Sequence, residues 1–174
     1  MSGIELDDLL AGVSPDRPSG DDLEYDPAFQ KLRDAAAGQP ERQMGESVVP
    51  SVEPDWKRAV SLAVDLLSRS KDLRIAILLC QALLNTEGVR GLDKGLNLTR
   101  SFLADFWDSV FPQLDPEDNN DPTARVNTLA DLCGLDAFVN PLRMVPLVSS
   151  RVFGSVSLRD AEIAQGKVPP PGDT

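Results

Sequence analysis

The residues best equipped for chemistry in this chain are acids. In the run Asp115-Pro116-Glu117-Asp118-Asn119-Asn120-Asp121, the residues Asp115, Glu117, Asn119 and Asp121 alternate as the first ligands of a calcium-binding EF-hand loop do. Such a loop needs glycine at its sixth position and a bidentate acid at its twelfth. Asn120 and Val126 stand there instead, so the run reads as a solvated turn whose aspartates cap helices. Adjacent acids recur at Asp7-Asp8, Asp21-Asp22 and Glu117-Asp118. No spacing sets two of them across a cleft, as glycoside hydrolysis requires. Gly88, Gly91 and Gly95 faintly suggest a phosphate loop but fit neither a G-x-G-x-x-G nor a Walker pattern. A helix stop and a tight turn between helices account for them.

The chain contains no histidine, which removes Ser-His-Asp and Cys-His catalysis and the common histidine-based zinc sites. Cys80 and Cys133, the two cysteines, each sit in an apolar helical pattern and read as small core residues in a reducing compartment. Carboxylate or lysine chemistry is the enzymatic route this composition leaves open. No catalytic, cofactor-binding or metal-ligating residue is assigned, and the chain reads as non-enzymatic.

Length and charge narrow the class. The 174 residues suit one domain with a real core, and a hydrophobic content of 41% is that of a globular chain. The longest apolar stretch, Ile75 to Leu84, is interrupted by Gln81, and a membrane span needs roughly 20 apolar residues. Met1 to Leu10 carries acids and no Lys or Arg, unlike a signal peptide, so a cytoplasmic location is expected. The net charge of −11 argues against nucleic acid and anionic membrane surfaces. Proteins with basic patches are the more natural partners.

The elements follow from periodicity and caps. Ile4 to Ala11 reads as a short amphipathic helix, and the turn-rich Ser14 to Gly20 breaks it. Asp26-Pro27 is a cap-plus-proline start for a helix reaching about Ala37, with Phe29 and Leu32 inward and Gly38 as its stop. Residues 39–53 form a long connection with no hydrophobic period. Pro54 opens a helix to about Ser68, with Trp56, Val60, Ala63 and Leu67 on one face. Asp72 then caps a helix that is apolar nearly all round from Leu73 to Leu84, so it should lie at the centre of a bundle. Leu92, Leu96, Thr99, Leu103, Phe106 and Val110 mark a further face ending at Pro112. After Asp121-Pro122, the residues Val126, Leu129, Ala130 and Cys133 form the next inner stripe, and Asp136 to Pro141 suits a short helix. The Val- and Ser-rich segment 145–157 predicts a small β-hairpin, and Ser157 with Asp160 caps a last helix, Leu158 to Ala164. The expected fold is mainly α, a bundle of about six to eight helices around Leu73–Leu84. Residues 1–166 form one domain, and 167–174 a Pro-rich linker or disordered tail.

Two regions stand out as partner contacts: Met44, Gly45, Glu46, Val48 and Val49 in the long connection, and Trp107 with Asp108. Trp56 and Phe106 have the spacing of core residues, whereas Trp107 would point about 100° away from Phe106 on one helix.

Taken in order, these segments resemble the N-terminal domain of ImpA-type (TssA) assembly subunits of bacterial type VI secretion systems. The pattern P-x-x-P-S-G-D-x-L-x-Y-D-P-x-F runs from Pro15 to Phe29. Gly45 in the connection and Pro54-Asp55-Trp56 follow, then Leu66 to Arg74, Glu87 to Leu92, Phe106 to Asp108, Pro112 to Asp118, Arg125 with Asn127, and Ser157 to Asp160. The similarity runs from residue 1 to about 166. It implies a non-catalytic docking module of a contractile, phage-tail-like injection machine. Its partners would be baseplate and tail tube or sheath proteins, and proteins of the membrane complex. Ring formation by the full-length family members is implied for C-terminal regions that this chain lacks. The alternative is a ligand- or calcium-responsive helical regulator.

Overall fold

A computed structural model describes residues 6–39, 42–44, 47–152 and 154–170. Among them are seven α-helices and two small antiparallel hairpins, the mainly α fold with a hairpin that the sequence leads one to expect. A 3-10 helix, Leu6–Leu10, comes first; Ile4, the start of the expected helix, lies outside the described residues. Then follow α1 (Pro27–Ala37), β1 (Arg42–Met44), β2 (Ser47–Val49), α2 (Trp56–Arg69), α3 (Leu73–Glu87) and α4 (Val89–Asp105). After them come α5 (Thr123–Ala130), a single π-helical turn (Leu135–Val139), α6 (Asn140–Met144), β3 (Pro146–Ser150), β4 (Gly154–Ser157) and α7 (Leu158–Ala164).

Helix α3 is the axis. Nine of its residues are buried, from Leu73 to Leu84, because the helix serves two cores. Leu73, Ile75, Ala76, Leu79, Ala82 and Leu83 join the main cluster with α1, α2 and α4, while Ile77, Cys80 and Leu84 join a second one around Phe138. A helix apolar on one stripe can seal only one side; this one is apolar on both because both are covered. Its start is fixed by Asp72, whose carboxylate accepts from the Arg74 N–H at 2.8 Å. Helix α1 starts the same way, Asp26 accepting from the Ala28 N–H at 2.7 Å, and α7 begins with a reciprocal Ser157–Asp160 capping box.

Four local expectations need correction. Helix α4 presents Gly91, Gly95, Leu98, Thr99 and Phe102 to the core, and Leu96 is exposed. A side-chain carbon added at Gly95 would lie 2.7 Å from Cys80 Sγ, and one at Gly91 2.2 Å from the Leu83 carbonyl oxygen. These glycines let α3 and α4 touch backbone to backbone, and that contact sets which face turns inward. The helix also ends at Asp105, so Phe106 and Val110 reach the core from the turn after it. In α5, Val126 and Ala130 face outward, Leu129 is partly covered, and the one buried residue is Arg125. Cys133 is exposed, and only Cys80 is a core thiol, its pKa pushed up to about 11 by burial. Finally, part of the 39–53 connection is paired rather than irregular: Arg42, Gln43 and Met44 oppose Val49, Val48 and Ser47. The segment is rooted by mutual backbone hydrogen bonds between Gln39 and Val52, both 2.8 Å. No helix among the described residues is long and apolar enough to cross a membrane.

Candidate functional site

Ser70 to Asp72 links α2 to α3 and, with Arg74 in the first turn of α3, holds a dense polar arrangement. Ser70, Lys71, Asp72 and Leu73 are all buried. The Lys71 N–H donates to the Ser19 carbonyl at 2.8 Å, the Phe111 N–H to the Lys71 carbonyl at 2.9 Å, and the Leu73 N–H to the Phe111 carbonyl at 2.8 Å. Three stretches distant in sequence therefore meet as short bridges. The Ser19 and Ser109 hydroxyls, 2.8 Å apart, add a side-chain tie. Gly20, at φ +72°, lies so close to the strand that a side-chain carbon there would meet the Arg69 carbonyl oxygen at 2.1 Å, so this position requires glycine.

Lys71 is 2% exposed, and it makes no ion pair among the described residues. Its ammonium donates to the carbonyls of Leu9 (2.7 Å) and Leu67 (3.3 Å) and lies 5.6 Å from the centre of the Phe102 ring. Burial pushes its pKa below the usual lysine range. A depressed lysine is the raw material of Schiff-base chemistry. Here, though, the amine is spent on two carbonyls, and it pins the 3-10 helix to the body.

Arg74 gathers three acids. Its guanidinium donates to Asp72 (2.7 Å), Asp22 (2.9 Å) and Glu24 (2.9 Å). Burial alone would lower its pKa, but the Asp72 hydrogen bond and charge, helped by Glu24 and Asp22, hold it above the ordinary arginine value. The adjacent acids at 21–22 are thus ion-pair partners of Arg17 and Arg74. Asp26 is held below the usual carboxylate range by the Ala28 N–H and then by Arg69 at 3.1 Å.

Arg125, 1% exposed, does for the turn after α4 what Lys71 does for the N-terminus. Its guanidinium donates to the backbone carbonyls of Trp107, Val110 (2.8 Å) and Pro112 (2.8 Å). It also lies 4.8 Å from the centre of the Trp107 ring. Burial lowers its pKa and the Asp108 charge opposes that.

The sequence-predicted contact residues fall on two different connections. Met44, Val48 and Val49 lie on the β1–β2 ladder between α1 and α2, while Gly45 and Glu46 lie outside the described residues. Trp107 and Asp108 lie in the turn after α4, both exposed, with the Trp107 ring held against Arg125. In the 115–121 turn, Asp115 accepts from the Glu117 N–H at 2.9 Å and Asp121 from the Thr123 N–H at 3.2 Å. These carboxylates bend back onto their own backbone, the solvated-turn reading. Among the described residues, no cluster of three or more acids, cysteines or histidines is arranged to hold a metal.

Three further features bear on the site. Tyr25, in the middle of the 15–29 pattern, is 92% exposed, although its neighbours Leu23, Asp26 and Phe29 are tied to the fold. A groove of about 620 Å³ runs between α1, α3 and α5, with Phe29, Ile77 and Phe138 in its floor and Arg33, Arg74 and Asp131 on its walls. Arg74 there is already paired with three acids, and the Arg33 guanidinium lies 4.3 Å from the centre of the Phe29 ring. The third feature is the β3–β4 hairpin, whose apolar residues Leu147, Val148, Val152 and Val156 are exposed. The run of Val and Ser predicted its pairing; no local signal predicts that it covers no core.

Fold and site together define a helical framework domain: its buried polar side chains fasten backbone segments, and its apolar surplus sits on a projecting hairpin. The chain belongs to the ImpA N-terminal family of the type VI secretion system, whose family model, "ImpA, N-terminal, type VI secretion system", matches residues 10–134. It is 50% identical over 163 residues to the type VI secretion system component TssA1 of Pseudomonas aeruginosa, which covers 94% of this chain and 47% of that protein. It is also similar to the solved N-terminal domain, including the ImpA_N region, of the type VI secretion component TssA from Burkholderia cenocepacia. There the TM-score is 0.73 at 33% identity, over 95% of this chain and 60% of that one. The chain thus spans about half the length of the curated relative.

Proposed function

We propose that this chain is a non-catalytic docking module of a TssA-like subunit, working in the bacterial cytoplasm and contacting baseplate or tail tube and sheath components while the tail is assembled. The observation that carries this reading is the division of labour among its side chains. Lys71, Arg74 and Arg125, the groups best placed for chemistry, are each engaged by carbonyls or carboxylates of the chain itself. Exposed apolar surface is left at Tyr25, at the Trp107 ring beside Arg125, and on the hairpin. Residues 1–166 act in this proposal as one folded unit, with 167–174 as a linker. Met44 to Val49 and the Trp107–Asp108 turn are candidate contacts. Homo-oligomerisation is assigned to the part of the longer relatives that this chain does not span. The test is a pull-down with purified baseplate, tube and sheath components. Recovery of at least one is expected, and recovery of none at micromolar concentrations by the well-folded protein would sink the proposal.

A further inference from the structure

We propose that the β3–β4 hairpin is a strand-pairing site for an extended, acidic segment of a partner protein. This deepens the docking reading and rests on it. Three observations meet at the hairpin. The first is charge. Between Asp136 and Asp160 the chain carries three arginines, Arg143, Arg151 and Arg159, and no acid, within a protein of net charge −11. Arg143 is engaged by Glu162, while Arg151, in the turn between the strands, has no ion-pair partner among the described residues. A locally positive element on an acidic body selects an acidic partner. It must be a slender one, because a bulky anion such as a nucleic acid or a membrane would also meet the repulsive body.

The second observation is burial. All five residues of β3 are exposed, and of β4 only Ser157, at its root, is buried. Sheets ordinarily bury at least one face, and an isolated two-stranded hairpin is marginal in water. The cross-strand pair Val148–Val156 lies on one face and Ser149–Ser155, hydroxyls 3.0 Å apart, on the other. Val152, at the turn, is 82% exposed.

The third is the state of the edges. Each strand has one hydrogen-bonded neighbour, so two edges stand open among the described residues. Edge strands are commonly guarded by proline, lysine or an irregularity. Pro146 and the irregularity before Val148 guard the root; Val148, Ser149 and Gly154–Val156 carry no such guard. Meanwhile the base is fixed by the Ser157–Asp160 box and the Arg143–Glu162 pair. An edge held in place loses little freedom on gaining a third strand.

The experiment uses three synthetic probes of about ten residues each: alternating Glu-Val, alternating Lys-Val, and the Glu-Val peptide with proline at every second valine. Amide NMR of the purified protein is recorded with each at about 0.15 M salt. The Glu-Val peptide should shift amides of 146–157, and it should bind about tenfold more tightly than the Lys-Val peptide. The proline peptide should fall back by a similar factor, and the double variant Arg151→Glu, Arg159→Glu should invert the charge preference. Equal binding of both charges, shifts centred on the Phe29–Phe138 groove, or occupation of the hairpin by a second copy of the chain would each overturn the proposal. The double variant is also carried through the pull-down. If it still captures the same component as the wild type, the hairpin assignment fails while the docking reading stands.

Discussion

Ser70–Asp72 and the β3–β4 hairpin are both short extended stretches containing serine, yet the first is buried and the second is almost wholly exposed. The first is pressed between two other segments, and Lys71 and Asp72 there are spoken for on both backbone and side chain. The second touches solvent on both faces. Backbone conformation does not distinguish them; the number of strangers in sequence that each one holds does. A substitution in the first removes several partners at once, whereas one in the second removes water contacts.

That contrast can be broken or sharpened. The largest effect is expected at Arg125, which belongs to the fastened class. Arg125→Ala leaves three carbonyls without their donor and should cost about 3–5 kcal/mol in urea unfolding; a loss under about 1 kcal/mol would show that water reaches those carbonyls and would weaken the comparison. Next come Gly91→Ala and Gly95→Ala. Each drives a methyl into α3, and each should lower stability by about 1–3 kcal/mol despite better helix propensity. Lys71→Met comes third, and its signature is a pH dependence. The folded-state pKa lies below the unfolded value of 10.5, so between the two the unfolded chain holds more protons and wild-type stability rises with pH. Measured from pH 7 to 10, the wild type should gain on the methionine variant; parallel curves would mean the ammonium is well solvated. The smallest change is expected for Val152→Ser, within about 0.5 kcal/mol of wild type, with weakened binding of the Glu-Val peptide as its visible effect.

Much of the frame could be read before any coordinates. Asp26, Asp72 and the Ser157–Asp160 pair announce helix starts through local chemistry that tertiary context rarely overrides. The apolar run in α3, broken only by Gln81, announces its centrality. The failures in α4 and α5 share one cause: the helical stripe rule counts apolar side chains, and these two helices obey something else. In α4 the inward face is chosen by Gly91 and Gly95, which have no side chain to count. In α5 the inward residue is a charged one, Arg125, because buried carbonyls at the end of another connection need a donor. Both depend on partners distant in sequence. The candidate site was legible only where a motif lacked structural employment. Trp107 emerged exposed, but through the turn after α4 rather than through helical rotation, and the bare hairpin could be seen as a hairpin but not as bare.

Arg125 has a consequence for where the chain can be cut. The bundle of α1 to α4 has its own core and ends at Asp105, and a fragment stopping in the acidic turn before Asp121 would look complete by its helices. It would nonetheless lack the guanidinium that closes the loop behind α4, leaving the carbonyls of Trp107, Val110 and Pro112 without that donor. A fragment that runs through α5 keeps that clasp and should unfold at higher urea than one cut before Asp121; the family match, ending at residue 134, lies just beyond it.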